Sequence, residues 1–321
     1  MRRCRVFLFC VLLLFSTLPL RASSIGAYCV MAQDGRILYA RSLHEVQSVA
    51  SISKVMTAVV ALEHGELDQR IVIGEEIRQV DGSSIYLREG EEYVLEDLLY
   101  GLLLRSGNDA AVSIAKGVAG DPQRFVAWMN EKAQELGMQD TLFRNPSGLD
   151  ETDGGNLSSV YDMALLMNYA MQNETFAKIS ATRQYENEKG TLWTNKNRLL
   201  TQYGYATGGK TGYTREAGRT LVSSARKEQL SLVIVTFGMS DDFDFHETYY
   251  EKAFSEYEGI PLIEPGTYQL MEQTFVVASP PILTVRRQAD HQVKFSCCKS
   301  FIACRPAGDA AEPSPNMLTT P

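Results

Sequence analysis

Gly26-Ala27-Tyr28-Cys29-Val30-Met31-Ala32-Gln33-Asp34-Gly35-Arg36-Ile37-Leu38-Tyr39-Ala40 is the stretch whose reading decides the fold. Gly26 to Ala32 is apolar and β-prone, Gln33-Asp34-Gly35 supplies turn chemistry, and Arg36 to Ala40 returns as a second strand, so the chain opens on an antiparallel hairpin. Strands recur only late, at Thr211 to Thr214, Arg219 to Ala225 and Leu230 to Gly238, the last reading Leu-Ser-Leu-Val-Ile-Val-Thr-Phe-Gly. Between these groups the apolar residues follow a helical period over Val55 to His64, Leu95 to Leu104, Asp109 to Val118, Gln123 to Leu136 and Ser159 to Met171. A further helix, Phe243 to Tyr257, follows the last strand. Strands at both ends with helices between predict an α+β fold: one antiparallel β-sheet assembled from both ends of the chain, flanked by helices, with an all-helical lobe inserted.

Three short motifs stand in one order on this frame: Ser51-Ile52-Ser53-Lys54, then Ser106-Gly107-Asn108, then Lys210-Thr211-Gly212. Together they are the parts of a serine acyl-transfer site that uses lysine where other serine hydrolases use histidine. S-x-x-K is permissive, with about one match expected by chance at this length, and it also occurs at Ser113, Ser224 and Ser296. Order selects among them. Ser51 alone precedes an S-x-N that precedes the single K-T-G, and it alone opens an apolar helical run.

The chemistry sets a condition. Ser51 falls in the first turn of its helix, with its hydroxyl and N–H at the positive end of the dipole, and Lys54, three residues on, shares its face. An uncharged amine there can take the serine proton, but a solvated lysine near pKa 10.4 is protonated at neutral pH. Burial lowers that value, and so does a second cation such as Lys210 brought close by the fold. Ser106-Gly107-Asn108 is a polar turn between two helices, placed to project hydroxyl and amide into a cleft. Gly208 to Thr214 offers a glycine-rich strand edge for a peptide-like substrate, with Lys210 and Thr211 as donors to a carboxylate.

The chain of 321 residues is 45% hydrophobic and 22% charged, which is globular and large enough for one big domain or two smaller ones. Residues 1–24 read as a secretory signal peptide: Met1-Arg2-Arg3-Cys4-Arg5, an apolar run from Val6 to Leu20, then Arg21-Ala22-Ser23-Ser24. The run is short for a membrane span of about twenty residues, and left uncleaved it would serve as an anchor. In either case the catalytic part is expected outside the cytoplasm. The net charge of −8 becomes −12 when Arg2, Arg3, Arg5 and Arg21 leave with the signal, which disfavours nucleic acid as a partner. Six cysteines and four scattered histidines form neither a disulfide framework nor an H-E-x-x-H or C-x-x-C metal pattern.

In this order and behind an export signal, the motifs resemble those of the penicillin-binding serine acyltransferases and class A β-lactamases. Ala50-Ser51-Ile52-Ser53-Lys54-Val55-Met56-Thr57, Leu104-Arg105-Ser106-Gly107-Asn108-Asp109-Ala110-Ala111, Phe143-Arg144-Asn145-Pro146-Ser147-Gly148-Leu149 and Lys210-Thr211-Gly212-Tyr213-Thr214 with Ala217-Gly218 resemble the low-molecular-mass D-alanyl-D-alanine carboxypeptidases in particular. The resemblance covers roughly residues 25–258, taken as a catalytic serine peptidase domain of β-lactamase/transpeptidase-like fold. It implies that Ser51 attacks the penultimate D-alanine carbonyl of a peptidoglycan stem peptide, Lys54 takes its proton and Ser106 relays a proton to the leaving group. It further implies that Asn108 holds the acyl-side amide, Lys210 and Thr211 the terminal carboxylate, and the N–H groups of Ser51 and Tyr213, beside Gly212, the oxyanion. β-Lactams are the implied inhibitors, and neither metal nor organic cofactor is implied.

Departures from the family pattern are Val49 where proline is frequent, Thr207 where an acidic residue is, and the end of the chain. Residues 259–321 read as an incomplete β module, with a strand or two within Leu262 to Val285, and a disordered Pro-, Ala- and Ser-rich tail from Ser296. That tail lacks the apolar stripe and basic face of a membrane-lying helix. Among rival activities, a class A β-lactamase needs a glutamate in an E-x-x-x-N context, and no glutamate between Asn108 and Lys210 has asparagine four residues later. A DD-endopeptidase on the same scaffold stays open, since cleft shape selects the bond. A penicillin-sensing domain would need a transmembrane relay to a cytoplasmic module, which this sequence does not contain.

Overall fold

The computed structural model describes residues 26–150, 155–270, 273–287, 292–298 and 301–307. The expected signal segment and the last residues of the expected tail lie outside them. Five strands form the central sheet: β1 (Ala27–Ala32), β2 (Ile37–Arg41), β3 (Ala206–Thr214), β4 (Gly218–Lys227) and β5 (Leu230–Phe237), all antiparallel, in the order β2-β1-β5-β4-β3. The start of the chain lies beside its late strands, with Ala27 opposite Phe237 and Ala32 opposite Leu232. The helices are α1 (Lys54–His64), α2 (Leu95–Arg105), α3 (Asn108–Ala119), α4 (Pro122–Glu135), α5 (Val160–Ala170), α6 (Glu174–Ala181), α7 (Leu199–Gln202) and α8 (Asp242–Glu256).

Both faces of the sheet are covered, which explains why its strands read as continuous apolar runs. Cys29, Met31, Val222, Val233, Val235 and Phe237 join the large core shared with the helical lobe. Their neighbours Val30, Ala32, Leu221, Leu232 and Ile234 join a second core closed by Tyr250, Ala253 and Phe254 of α8. At the centre of the lobe, α1 buries Val55, Met56, Ala58, Val59, Val60 and Ala61, and with Lys54 and Thr57 buried as well its first two turns show no face to solvent. Each large apolar side chain buried in this way contributes about 1.5–3 kcal/mol. The helix that carries the first motif is therefore also the axis of the lobe.

Where sequence and structure differ, the reason is local. β3 starts at Ala206 rather than Thr211, because Gly208 and Gly209 continue the ladder opposite Ser224 and Ser223 instead of turning. Glycine marks close approach there: a Cβ would stand 2.6 Å from Ser180 Oγ at Gly208 and 2.6 Å from the Val222 carbonyl oxygen at Gly209. The helix α6, capped by Asn173 accepting from the Phe176 N–H, and the hairpin pairing Gln184–Glu186 with Leu192–Thr194 are too short to announce themselves by period.

After α8 the chain continues as paired strands, Tyr257–Pro261 with Ile282–Arg286, Gly266–Leu270 with Gln273–Val277, and Gln292–Cys298 with Phe301–Ala307. The last pair runs through the stretch whose composition reads as the start of a tail. Thr284 is fully buried, and its N–H and hydroxyl donate to the Asp34 carboxylate at 2.8 and 2.9 Å, fastening these strands to the β1–β2 turn. Among the described residues no helix is long and apolar enough to cross a membrane.

The β4–β5 hairpin turns on Glu228 and Gln229, since Lys227 faces Leu230, and Glu228 has a φ of 54°. That left-handed conformation costs a residue with a Cβ about 1–2 kcal/mol, while the Glu228–Arg287 ion pair at 3.4 Å is exposed and weak. Glu228→Gly is therefore expected to raise the thermal midpoint by about 2–4 °C, measured by calorimetry.

Candidate active site

Ser51 is presented by a single 3-10 turn, Ala50–Ser53, that runs into α1. The turn begins with Ala50 at a φ of 51°, a strained left-handed position. Its geometry is held from outside: the Ala50 carbonyl accepts from Ser53 Oγ at 2.9 Å, and Gly148, at a φ of 77°, packs so closely that a Cβ would collide with that carbonyl and with Ser53 Oγ. Lys54, one helical turn on, has no exposed surface. Its Nζ stands 3.0 Å from Ser51 Oγ and 2.6 Å from Asn108 Oδ1, and it also donates to the Ser147 carbonyl. Asn145 fixes that carbonyl's loop by accepting from the Ser147 N–H at 3.1 Å and the Gly148 N–H at 2.7 Å.

The second motif closes α2 and opens α3. Ser106 sits in the left-handed cap of α2, with φ 63° and ψ 33°, which turns its hydroxyl toward Lys210. Lys210 Nζ donates to Ser106 Oγ at 2.9 Å and to the Thr211 carbonyl at 2.6 Å. With only 2% of its surface exposed, Lys210 reaches the cleft through the Ser106 hydroxyl, while Thr211, Gly212 and Tyr213 line the cleft themselves. Gly212 brings the edge strand against the serine turn: a Cβ there would stand 3.0 Å from the Ser51 nitrogen and 3.1 Å from that of Ile52. Thr220 ties the two together by donating to the Val49 carbonyl at 3.0 Å. All three motifs thus surround one open cleft of about 490 Å³.

The Lys54 amine is lowered to about 7, first by burial and then by the Lys196 ammonium, with Asp109 opposing both. Lys210 is held well below its ordinary value, first by burial, then by Lys54 and Lys196. The repulsion between Lys54 and Lys210 that the sequence suggests is present, and Lys196, a residue the motifs do not contain, adds to it at both amines.

A sequence profile describing D-alanyl-D-alanine carboxypeptidases, Peptidase S11, matches residues 17–241. The chain belongs to this family. It is 35% identical over 249 residues to the D-alanyl-D-alanine carboxypeptidase DacF of Bacillus subtilis, covering 74% of this chain and 64% of that one. The chain therefore spans a little under two thirds of that relative's own length. Its structure is similar to a D-alanyl-D-alanine carboxypeptidase of Mycobacterium tuberculosis, with a TM-score of 0.68 and 33% identity over 75% of this chain and 94% of the other. It is similar also to penicillin-binding protein D2 of Listeria monocytogenes in an ampicillin-bound form, with a TM-score of 0.64 and 26% identity over 70% and 94%.

In this member of the carboxypeptidase family the cleft has a cationic rim that the motifs do not announce. Lys196, Arg198 and Arg219 line it; Arg219 forms a two-pronged pair with buried Asp242 at 2.7 and 3.1 Å, and Arg198 lies 4.6 Å above the Phe243 ring. The sequence signal for Lys196 and Arg198 is a polar island, Thr194-Asn195-Lys196-Asn197-Arg198, between Trp193 and Leu199. Asn195 and Asn197 anchor it to the Thr182 and Gly208 carbonyls at 2.9 and 3.2 Å.

Because Gly148 combines a positive φ with contact against the serine turn, Gly148→Ala is expected to cost about 1–3 kcal/mol. The check is a lower urea midpoint with an unchanged m-value.

Proposed function

We propose that this chain is a serine-type D-Ala-D-Ala carboxypeptidase that removes the terminal D-alanine from peptidoglycan stem pentapeptides through an acyl-enzyme on Ser51. The observation that carries the reading is the set of partners around Lys54. A neutral amine has two N–H donors and one lone pair. Asn108 Oδ1 and the Ser147 carbonyl are acceptors only, so they take the two donors. The lone pair is left facing Ser51 Oγ, the one partner of the three that can donate.

The reaction then follows with its protons in balance. Ser51 Oγ attacks the penultimate D-alanine carbonyl while its proton passes to Lys54 Nζ. The developing oxyanion lies between the N–H groups of Ser51 and Tyr213, each donor worth about 3 kcal/mol. As the C–N bond breaks, the Ser106 hydroxyl, backed by Lys210, gives its proton to the leaving nitrogen and takes up in its place the proton held on Lys54, so that D-alanine departs and Lys54 is neutral again. Asn108 holds the acyl-side amide, Thr211 takes the terminal carboxylate, and the rim cations favour that charge. Water activated by Lys54 hydrolyses the ester. A β-lactam acylates Ser51 in the same way but keeps its leaving group tethered. The substrate places the work outside the cytoplasm, which accords with reading residues 1–24 as a cleaved export signal and the mature chain as a soluble extracytoplasmic protein.

Ser51→Ala is expected to abolish both labelling by fluorescent penicillin and D-alanine release from a pentapeptide ending in D-Ala-D-Ala. Labelling that survives in Ser51→Ala but is lost in Ser113→Ala would reassign the nucleophile. Lys54→Arg should be as damaging as Lys54→Ala, about a thousandfold in acylation, because guanidinium keeps its proton and cannot act as the base.

The pH dependence has a definite sign. Lys54 must be neutral to act, so acylation should rise about tenfold per unit up to pH about 7 and level off above it. Removing a repelling cation stabilises the protonated amine, so Lys196→Gln should move this limb to higher pH. A limb unmoved in Lys196→Gln would show that the Lys196 charge does not reach Lys54.

A further inference from the structure

Asp109 follows the second motif and does not line the cleft, yet it is 3% exposed and gathers four donors from two elements. Its carboxylate accepts from the Ile85 N–H at 3.1 Å on both oxygens, the Leu87 N–H at 3.1 Å, Ser84 Oγ at 2.5 Å and the Ala110 N–H at 2.9 Å. Between the two bound loop amides stands Tyr86, whose N–H donates to Ser84 Oγ at 2.8 Å. Tyr86 is 84% exposed and has a φ of 64°, a conformation that a bulky residue adopts only when its surroundings impose it. The flanking Ile85 and Leu87 are buried, and Ile85 packs where Gly101 and Gly107 leave room: a Cβ would stand 2.5 and 3.2 Å from it.

The loop so held is also the far wall of the cleft. Its Ser83 carbonyl accepts from the Asn108 N–H at 2.7 Å, its Asp81 carbonyl accepts from Asn108 Nδ2 at 2.7 Å, and Ser83 Oγ accepts from Lys196 Nζ at 3.0 Å. The second of these bonds decides which way round the Asn108 amide sits. With Nδ2 held by Asp81, Oδ1 must face Lys54. Were the amide to turn over, its NH₂ would meet the Lys54 amine, and the lone pair needed at Ser51 would be drawn to Asn108 instead.

We propose that Asp109 is a positioning residue for acylation: it binds the 81–87 loop to the start of α3, and the loop locks the Asn108 amide with its oxygen on Lys54. The inference rests on the lysine-base reading under Proposed function.

The test is a double-mutant cycle in acylation by a fluorescent penicillin, with the acylation rate constant separated from the noncovalent dissociation constant. Asp109→Asn keeps the volume but sets an NH₂ group among backbone N–H donors. It should lower the acylation rate constant by about 10- to 100-fold, with the dissociation constant unchanged. In an Asn108→Ala background, where no amide is left to orient, the same change should cost about threefold or less. Equal losses in both backgrounds, or a native rate in Asp109→Asn, would overturn the proposal.

Should Asp109→Asn fail to fold, Ser84→Ala removes one donor from the clamp and no cleft atom. It should show a fall of about three- to tenfold that also vanishes without Asn108; a native rate in Ser84→Ala overturns the clamp. Absence of Ser51 labelling in the wild-type protein would instead sink the proposed function, and this inference with it.

Discussion

A lysine sealed from water is the constraint on which the structure turns. An amine in solvent near pKa 10.4 is useless as a base at neutral pH, and burial does most of the work of bringing Lys54 to about 7. Burial alone would leave an amine with unsatisfied polar hydrogens, at a cost comparable to its gain. The fold therefore sets it at the start of a helix whose first two turns are buried, and supplies two fixed acceptors from separate segments, Asn108 at the head of α3 and the Ser147 carbonyl in the 145–148 loop. Each support has its own support: Asn145 holds the loop, and the 81–87 segment holds Asn108.

The second requirement is that the edge of the sheet lie against the serine. Gly212, the Thr220–Val49 hydrogen bond and the strained turn at Ala50 are three aspects of that contact. The chain joins its first strand to its late ones for the same purpose. β4 and β5 stand between β1 and β3, so the edge strand is set by a ladder that includes residues from Ala27 to Phe237. Side chains that lie far from the cleft in the sequence thus fix distances within it.

What was legible in the sequence was whatever a short window encodes. The apolar runs of β1 and β5 and the helical period of α1 to α5 are local signals, and they placed the sheet and the lobe. The motif order marked Ser51, Lys54, Ser106, Asn108 and Lys210, and the cleft brings these together. What stayed hidden was pairing at a distance. Nothing near Lys196 announces that its charge will reach Lys54, and nothing near Asp109 announces a loop more than twenty residues earlier. Gly208 to Thr214 was legible as a strand edge, but a start as early as Ala206 was not, because the neighbours that require glycine there, Ser180 and Val222, lie elsewhere in the chain.

The two buried lysines have a joint property that neither has alone. Charge on Lys54 lowers the affinity of Lys210 for a proton, so the pair is an anticooperative proton store, and a first proton makes a second more expensive. In the proposed reaction Lys54 becomes charged at the moment the tetrahedral species forms. The store thus holds its proton just as a strongly basic site appears in the cleft, the nitrogen of the departing D-alanine. Discharge toward that nitrogen returns Lys54 to its neutral form and commits the bond to break. In that reading the order of events is set by electrostatics, since the acid gives its proton only after the base has taken one.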